Sequence, residues 1–448
     1  MSLPFMLKKF LVRTGVARFL PVSRRLTDNG NDFVHYYSDR VLAAPVEELL
    51  SPATFPQLPG PDVLNLNEPA PCFDSPVSAG RVTADRTGLP SAWGMPELRE
   101  QIAENLHRRD ARKLDPRTDV LVTHGATGAL ASTLEAFVNP GDRVVMLDPC
   151  SPHFALGAKS RRARIRWLPT TTEDGRLRFS DTAMSAALRG AKLLVLADPG
   201  NPTGGTIAPE ELERLAWCAN RSDVLIFLDE SYSKFRYDGR PCELATLPGA
   251  ERRTLSAGSL TTEAGLGSLR LGWLAGPRHL VRACTLTQSL SAPYVPSVCQ
   301  QVAVRTLQSA EESFSPVLEQ FRARRRYAFD RLKAMGFAPS WPSGGFFCWL
   351  SVGELGMSGQ VFAERLLKEQ RVLVGPGIAF GPSGKNFVRV SFAAEDGRLR
   401  EALGRLAAFV AGVKGQPIVQ TATVSASIET PETPAVPKVE RIPTFSRV

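Results

Sequence analysis

The chain contains five short apolar runs, each bounded by turn residues: "DVLVTHG" (119–125), "DRVVMLDP" (142–149), "KLLVLADPGNPTGG" (192–205), "DVLIFLDES" (223–231) and "LRLGWLAG" (269–276). They lack the alternation of a strand with one wet face, so they read as strands buried on both faces. Between them lie segments of helical periodicity. In "MPELREQIAENLHRR" (95–109) the apolar positions Leu98, Ile102, Ala103 and Leu106 recur on one helical face. Strands alternating with helices argue for a mainly parallel sheet flanked by helices, a three-layer α/β arrangement. From about Pro296 a long helical stretch leads to "PSGGFFCWL" (342–350) and "NFVRVSFA" (386–393), a pattern suited to a smaller α+β domain.

A length of 448 residues is too great for one simple core, and two or three domains are expected. The reading divides the chain into a basic arm (1–27), an N-terminal part of the small domain (28–75), a large domain (76–297), a C-terminal small-domain part (298–413) and a disordered tail (414–448). The arm has no acid and carries Lys8, Lys9, Arg13, Arg18, Arg24 and Arg25. A membrane-surface helix or an organelle presequence is the alternative, but Ser2 and Ser23 are its only serines. The tail is rich in Pro, Thr, Ser and Val without periodicity. The net charge of +9 is spread through apparent helices rather than gathered with aromatics, which argues against a nucleic-acid partner. Seven widely spaced cysteines, with no C-x-x-C pair, favour reduced thiols in a cytoplasmic setting over disulfides or a metal site. No apolar run reaches the roughly 20 residues of a transmembrane segment.

The chemistry gathers at the ends of the apolar runs. In "THGATGALASTLEAF" (123–137) a strand ends, Gly125 permits a tight turn and a helix begins near Ala126, exposing free N–H groups to an anion. "DPGNPTGG" (198–205) places Asn201 at a strand end facing the ligand crevice of α/β folds, or forms an ordinary Asn-Pro turn. Asp229 follows a fully apolar run, with Tyr232 three residues on, and an acid there must be paired or used. In "SAGSLTTEAGLGSLRLGWLAGP" (256–277), Ser259, Thr261 and Arg270 suit a phosphate monoester. Arg389 is a charge inside an apolar strand, positioned for a buried acid or for a substrate carboxylate.

From about Leu64 to Ala411 the order of these elements resembles the fold type I, pyridoxal-phosphate-dependent aminotransferases of class I/II. Further landmarks are "LNLNEP" (64–69), "WGMPELRE" (93–100), "DPCSPHF" (148–154), "PSGGFF" (342–347) and "VGPGIAFG" (374–381). The resemblance implies that Gly125, Ala126 and Thr127 cradle the pyridoxal 5'-phosphate, with Ser259, Thr261 and Arg270. It implies that Asp229 pairs with the pyridine nitrogen, that Asn201 and Tyr232 bond the ring's phenolic oxygen, and that Arg389, beside Asn201, binds the α-carboxylate. An amino or keto acid would be the small-molecule partner, and a homodimer the usual assembly.

One position departs. The family's Schiff-base lysine lies eight residues before the phosphate arginine and three before a glycine, and here Thr262 occupies that place. After Lys234 the next lysine is Lys333. Leu89 stands where a partner-subunit tyrosine is expected, and Ser151 where an aromatic stacks on the ring, with His153 or Phe154 as substitutes. Threonine is neither a useful amine nor a base at neutral pH. Tyr232 and Asp229, with Thr262 at the lysine position, are therefore the catalytic-site residues of three readings. These are a conventional aminotransferase, an enzyme that holds pyridoxal or pyridoxamine phosphate noncovalently and uses another base (His153, His124, Glu263 or another lysine), and a non-catalytic partner subunit or sensor.

Overall fold

A computed structural model describes residues 60–415 apart from 61, 68, 69, 72, 74–90, 264, 266–268 and 309, and omits the side chains of 261, 263 and 310–313. The expected N-terminal arm, Leu89 and the tail beyond Gly415 lie outside the described residues.

In chain order the strands of the main sheet are β1 (Val120–Thr123), β2 (Arg143–Asp148), β3 (Arg164–Pro169), β4 (Leu193–Ala197), β5 (Leu225–Asp229), β6 (Thr254–Ser259) and β7 (Gly272–Ala275). Their spatial order is β1-β7-β6-β5-β4-β2-β3. Every neighbouring pair is parallel except those of β7, which runs antiparallel to both β6 and β1. The helices that pack around it are α1 (Pro96–Asp110), α2 (Gly125–Phe137), α3 (Pro152–Ser160), α4 (Asp181–Leu188), α5 (Pro209–Arg221), the short α6 (Leu260–Glu263), α7 (Arg278–Ser291) and α8 (Ser297–Gln308).

The central strands are buried on both faces because their runs are apolar without alternation, whereas the edge strand β3 (Arg164–Pro169) carries Arg164 and Arg166 and is mostly half-buried or exposed. In β4, Leu194 and Leu196 pack with Met184 of α4 and Leu212 and Leu215 of α5. Leu193 and Val195 point the other way, toward Leu130 of α2, Phe154 of α3 and Val281 of α7. Successive side chains of a strand project to opposite faces, so one unbroken apolar run supplies two helical layers. Each such side chain contributes about 1.5–3 kcal/mol on full burial. The helices begin where the sequence allows it: Pro96 and Pro209 sit in the first turns of α1 and α5, where a missing N–H costs nothing.

The C-terminal third forms a separate apolar cluster in which α9 (Ala310–Ala334), α10 (Gly359–Gln370) and α11 (Asp396–Val413) cover an antiparallel sheet. That sheet has the strand at Phe347–Ser351, the strand at Phe387–Ser391 and the short strand Gly375–Pro376, in that order. Leu64 and Asn65 pair in parallel with Val372 and Leu373, bringing an early piece of chain beside this late one. The fold is thus an α/β three-layer body with a smaller α+β unit. No helix among the described residues is long and apolar enough to cross a membrane.

The register of the main sheet assembles the site. Ala197 lies opposite Asp229, which lies opposite Ala257 on β6. Two residues further along β6, Ser259 lies opposite Gly272, and Gly272 opposite Thr123. These chain ends therefore share one edge of the sheet, the carboxyl end of its parallel strands. Because β7 runs backwards, Arg270 arrives at that edge just before the strand begins. The loops meet closely: a Cβ on Gly272 would lie 2.5 Å from the carbonyl carbon of Gly125.

Candidate active site

One cavity opens at this edge, and its lining includes Asn67, Ala126, Thr127, Ser151, His153, Asn201, Asp229, Ser231, Tyr232, Ser259, Thr262, Arg270 and Arg389. It has an anion end, a carboxylate-and-phenol middle and a second cationic end.

At the anion end, α2 begins at Gly125, one residue earlier than the sequence indicates, with Gly125 at φ +70°. The first N–H groups of a helix have no carbonyl one turn back, and the helix dipole adds positive potential there. Ala126 and Thr127 expose these groups to the cavity, opposite Ser259. The Arg270 guanidinium reaches over Gly125, whose hypothetical Cβ would stand 3.1 Å from Arg270 Nη2. Arg270 itself adopts φ +50°, a conformation uncommon for a residue with a side chain. Donors of this kind gathered at a helix start suit an anion such as a phosphate. Gly125 shapes the turn rather than lining the space, and the Thr261 side chain lies outside the described residues.

In the middle, Asp229 ends β5 and faces the cavity. The Ser231 N–H and hydroxyl both donate to its Oδ1, at 2.9 and 2.5 Å. Burial pushes its carboxyl above the ordinary range and the neighbouring Glu230 adds to that, while the Ser231 bonds pull the other way. The carboxylate is thus held in one orientation and is short of positive charge. Beside it the Asn201 amide donates to the Tyr232 hydroxyl at 3.3 Å. Tyr232 is fixed by edge-on contacts with Phe346 and Phe347, at 5.3 and 5.4 Å between ring centres.

At the far end Arg389 is 3% exposed. Its Nη1 donates to Asn201 Oδ1 at 2.8 Å, and its Nη2 to the Asn67 carbonyl and side-chain oxygen at 2.9 and 2.8 Å. The rings of Phe347 and Phe380 lie 4.6 and 4.7 Å from the guanidinium carbon. Such a fork, fixed by hydrogen bonds and packed close to two rings, suits a carboxylate.

Thr262, in the short helix α6, is 5% exposed and forms part of the same wall. No lysine lines the cavity among the described residues. Lys234 opens instead on a separate cavity of about 410 Å³ behind the Asp229–Tyr232 turn, its Nζ 5.3 Å from the Phe314 ring centre. His124 precedes α2 and is not part of the lining. Ser151 and His153 line the wall, whereas Phe154 also belongs to the core, edge-on to Phe227.

Three contributions escaped the sequence. Asn67 was visible only as part of a landmark, and its contact with Arg389 needs the early chain segment at Leu64–Asn67 laid beside the late strand Phe387–Ser391 within the smaller unit. Ser231 could have been found, since a serine two residues after a strand-end acid commonly bonds it through a local turn. Glu230 is a third: its 1%-exposed side chain receives Arg109 Nη2 at 2.7 Å and Arg112 Nη2 at 2.9 Å, and Arg112 Nη1 donates to Ser256 Oγ at 2.7 Å. The two guanidinium groups hold the Glu230 carboxyl below its ordinary range against its burial, and the cluster ties the end of α1 to β5 and β6.

The sequence pattern of the family "aminotransferase class I and II" matches residues 61–406. An aspartate aminotransferase of Pyrococcus abyssi is 29% identical over 77% of this chain and 91% of its own length. An arginine–pyruvate transaminase of Pseudomonas aeruginosa is 30% identical over 80% of this chain and 92% of its own. The structure of aspartate aminotransferase from Thermus thermophilus with maleate superposes with a TM-score of 0.75 at 28% identity, covering 83% of this chain and 99% of that one.

Proposed function

The chain belongs to the class I and II aminotransferases, and from that premise we propose that it holds pyridoxal or pyridoxamine 5'-phosphate without a covalent link, together with the carboxylate of an amino or keto acid. The observation that carries this reading is a cavity wall bearing Asp229, Tyr232, Arg270 and Arg389 with Thr262 and no lysine among the described residues. When bound, the cofactor supplies an electron-poor ring that draws electrons from the bonds at an amino acid's α-carbon. The residues fit that group: Ala126, Thr127, Ser259 and Arg270 hold the phosphate, with Thr261 assigned by its sequence position. Asp229, short of a cation, keeps the ring nitrogen protonated. Asn201 and Tyr232 bond the ring oxygen, and Arg389 with Asn201 holds the substrate carboxylate.

The relatives act on aspartate and on arginine with pyruvate by their names, so the reading commits to the carboxylate end and to no side chain. Thr262 offers neither an amine for attachment nor a base, and loss of general acid–base catalysis alone costs about 10²–10⁴-fold. The same residue favours a second reading, a non-catalytic subunit or sensor that binds the cofactor with an amino acid. Both readings place two domains around the cavity and two copies of the chain in a homodimer. An exposed apolar stripe of Leu286 and Leu290 on α7, Tyr294 in the link after it and Val298 on α8 supports the second copy. The spacing of the cysteines supports a cytoplasmic setting.

Fluorescence titration with pyridoxamine phosphate and borohydride reduction with pyridoxal phosphate test the proposal. Saturable binding with no reduced lysine adduct is expected. A borohydride adduct mapped to any lysine would restore conventional covalent attachment, and absence of binding would end the cofactor reading.

A further inference from the structure

We propose that His153 is the proton carrier of this site, taking the α-proton of the bound amino acid in place of the missing lysine. The proposal rests on the cofactor-binding reading above. It follows from what else lines the cavity. Of the lining groups among the described residues, Arg270 and Arg389 carry guanidinium groups, which donate hydrogen bonds and accept none. Asp229 is committed to the ring nitrogen, and Tyr232 with Asn201 to the ring oxygen. His153 also lines the cavity, and an imidazole is the side chain best suited to move a proton near neutral pH. It is carried on the first turn of α3, whose entry, through Ser151 and Pro152, borders the same cavity as Thr262.

The surroundings suit a base that waits for its substrate. Burial lowers the proton affinity of His153, and Arg389 and Arg270 lower it further, so the ring is neutral before ligands arrive. Asp229 and Tyr232 face the same cavity from β5 and the turn after it, and Asp229 is itself poor in charge when protonated. A phosphate on Arg270 and a carboxylate on Arg389 offset both positive charges. The proton affinity of His153 therefore rises when both ends are filled. In the step itself the Cα–H bond breaks, an N–H bond forms on the imidazole, and the electron pair stays at carbon under the pull of the ring. Return of the proton, or of a deuteron from solvent, reverses it with no other reactant.

The test uses the full chain with pyridoxal phosphate and a mixture of the twenty protein L-amino acids in D2O, read by mass spectrometry for α-deuteration. Wild type is expected to exchange at least one amino acid above the protein-free blank. His153→Gln and His153→Phe are expected to lose about 10²-fold or more of that exchange while binding pyridoxamine phosphate within a few fold of wild type. Imidazole NMR of the cofactor-free chain gives a readout independent of turnover: the His153 titration midpoint should move up when inorganic phosphate and pyruvate are added. Exchange that survives in either variant overturns the proposal, as does a cofactor-binding wild type that exchanges nothing. A midpoint that does not move overturns it too. Loss of cofactor affinity by more than tenfold in both variants would make His153 a packing residue instead. Failure of wild type to bind the cofactor is a different result, and removes the reading beneath the proposal.

Discussion

Asp229→Asn removes a charge while leaving a shape. Both Ser231 donors reach Oδ1 alone, and the carboxamide oxygen of asparagine accepts them in the same place, so the turn after β5 is preserved. What disappears is the charge-assisted hydrogen bond from Asp229 to a protonated ring nitrogen, worth about 1.5–3 kcal/mol. That corresponds to a Kd for pyridoxamine phosphate weakened about 10- to 150-fold. The pH dependence gives a second signature. Burial raises the carboxyl of Asp229 in the unliganded fold, so below that raised value it carries a proton it must lose before pairing. Wild-type affinity should fall as pH falls through that value, relative to an asparagine variant that lacks this step. The unliganded stability moves oppositely. A raised folded-state value means the group contributes stability when protonated and loses it as pH rises, so the variant should melt no lower than wild type at neutral pH. Fluorescence titrations of both proteins across pH, with thermal melts, measure all three effects. Affinities within threefold at neutral pH, with parallel pH profiles, would refute the assignment of Asp229 to the ring nitrogen.

Glu230→Gln leaves Arg109 and Arg112 buried against Asp110 alone and should lower the unfolding free energy by about 3 kcal/mol, read as a fall in urea midpoint at unchanged slope. Because the Glu230 carboxyl is held low by those arginines, its contribution is present above the unfolded-state value and lost as pH falls through the folded one; an unchanged acid limb in the variant would contradict this. Leu290→Asp places a charge on a residue that is 81% exposed, so the monomer should fold normally while sedimentation shifts from dimer to monomer. A dimer that persists unchanged would exclude the α7–α8 stripe as the contact.

The α/β class was legible in the sequence because five short apolar runs without alternation, bounded by turn residues and separated by helical segments, fit strands covered on both sides. The meeting of Asn201 and Asp229 in one cavity was legible for a related reason: each closes or follows such a run, and parallel strands deliver their ends to one edge. Counting back from Arg270 singled out Thr262, and the fold puts both in the lining of one cavity. Periodicity and spacing act locally, so they survive reading along the chain. What they could not supply is which strand lies beside which. The antiparallel β7 is inserted between β1 and β6, and this alone brings Arg270 over Gly125. Asn67 meets Arg389 across 322 positions of sequence, and Glu230 meets Arg109 across 121. Choosing His153 over His124 or Lys234 also required the fold, because whether a side chain lines a cavity depends on the elements packed around it. The types of residue and their order belong to the sequence; the enclosure that turns a histidine on a helix start into the remaining base is a property of the tertiary structure.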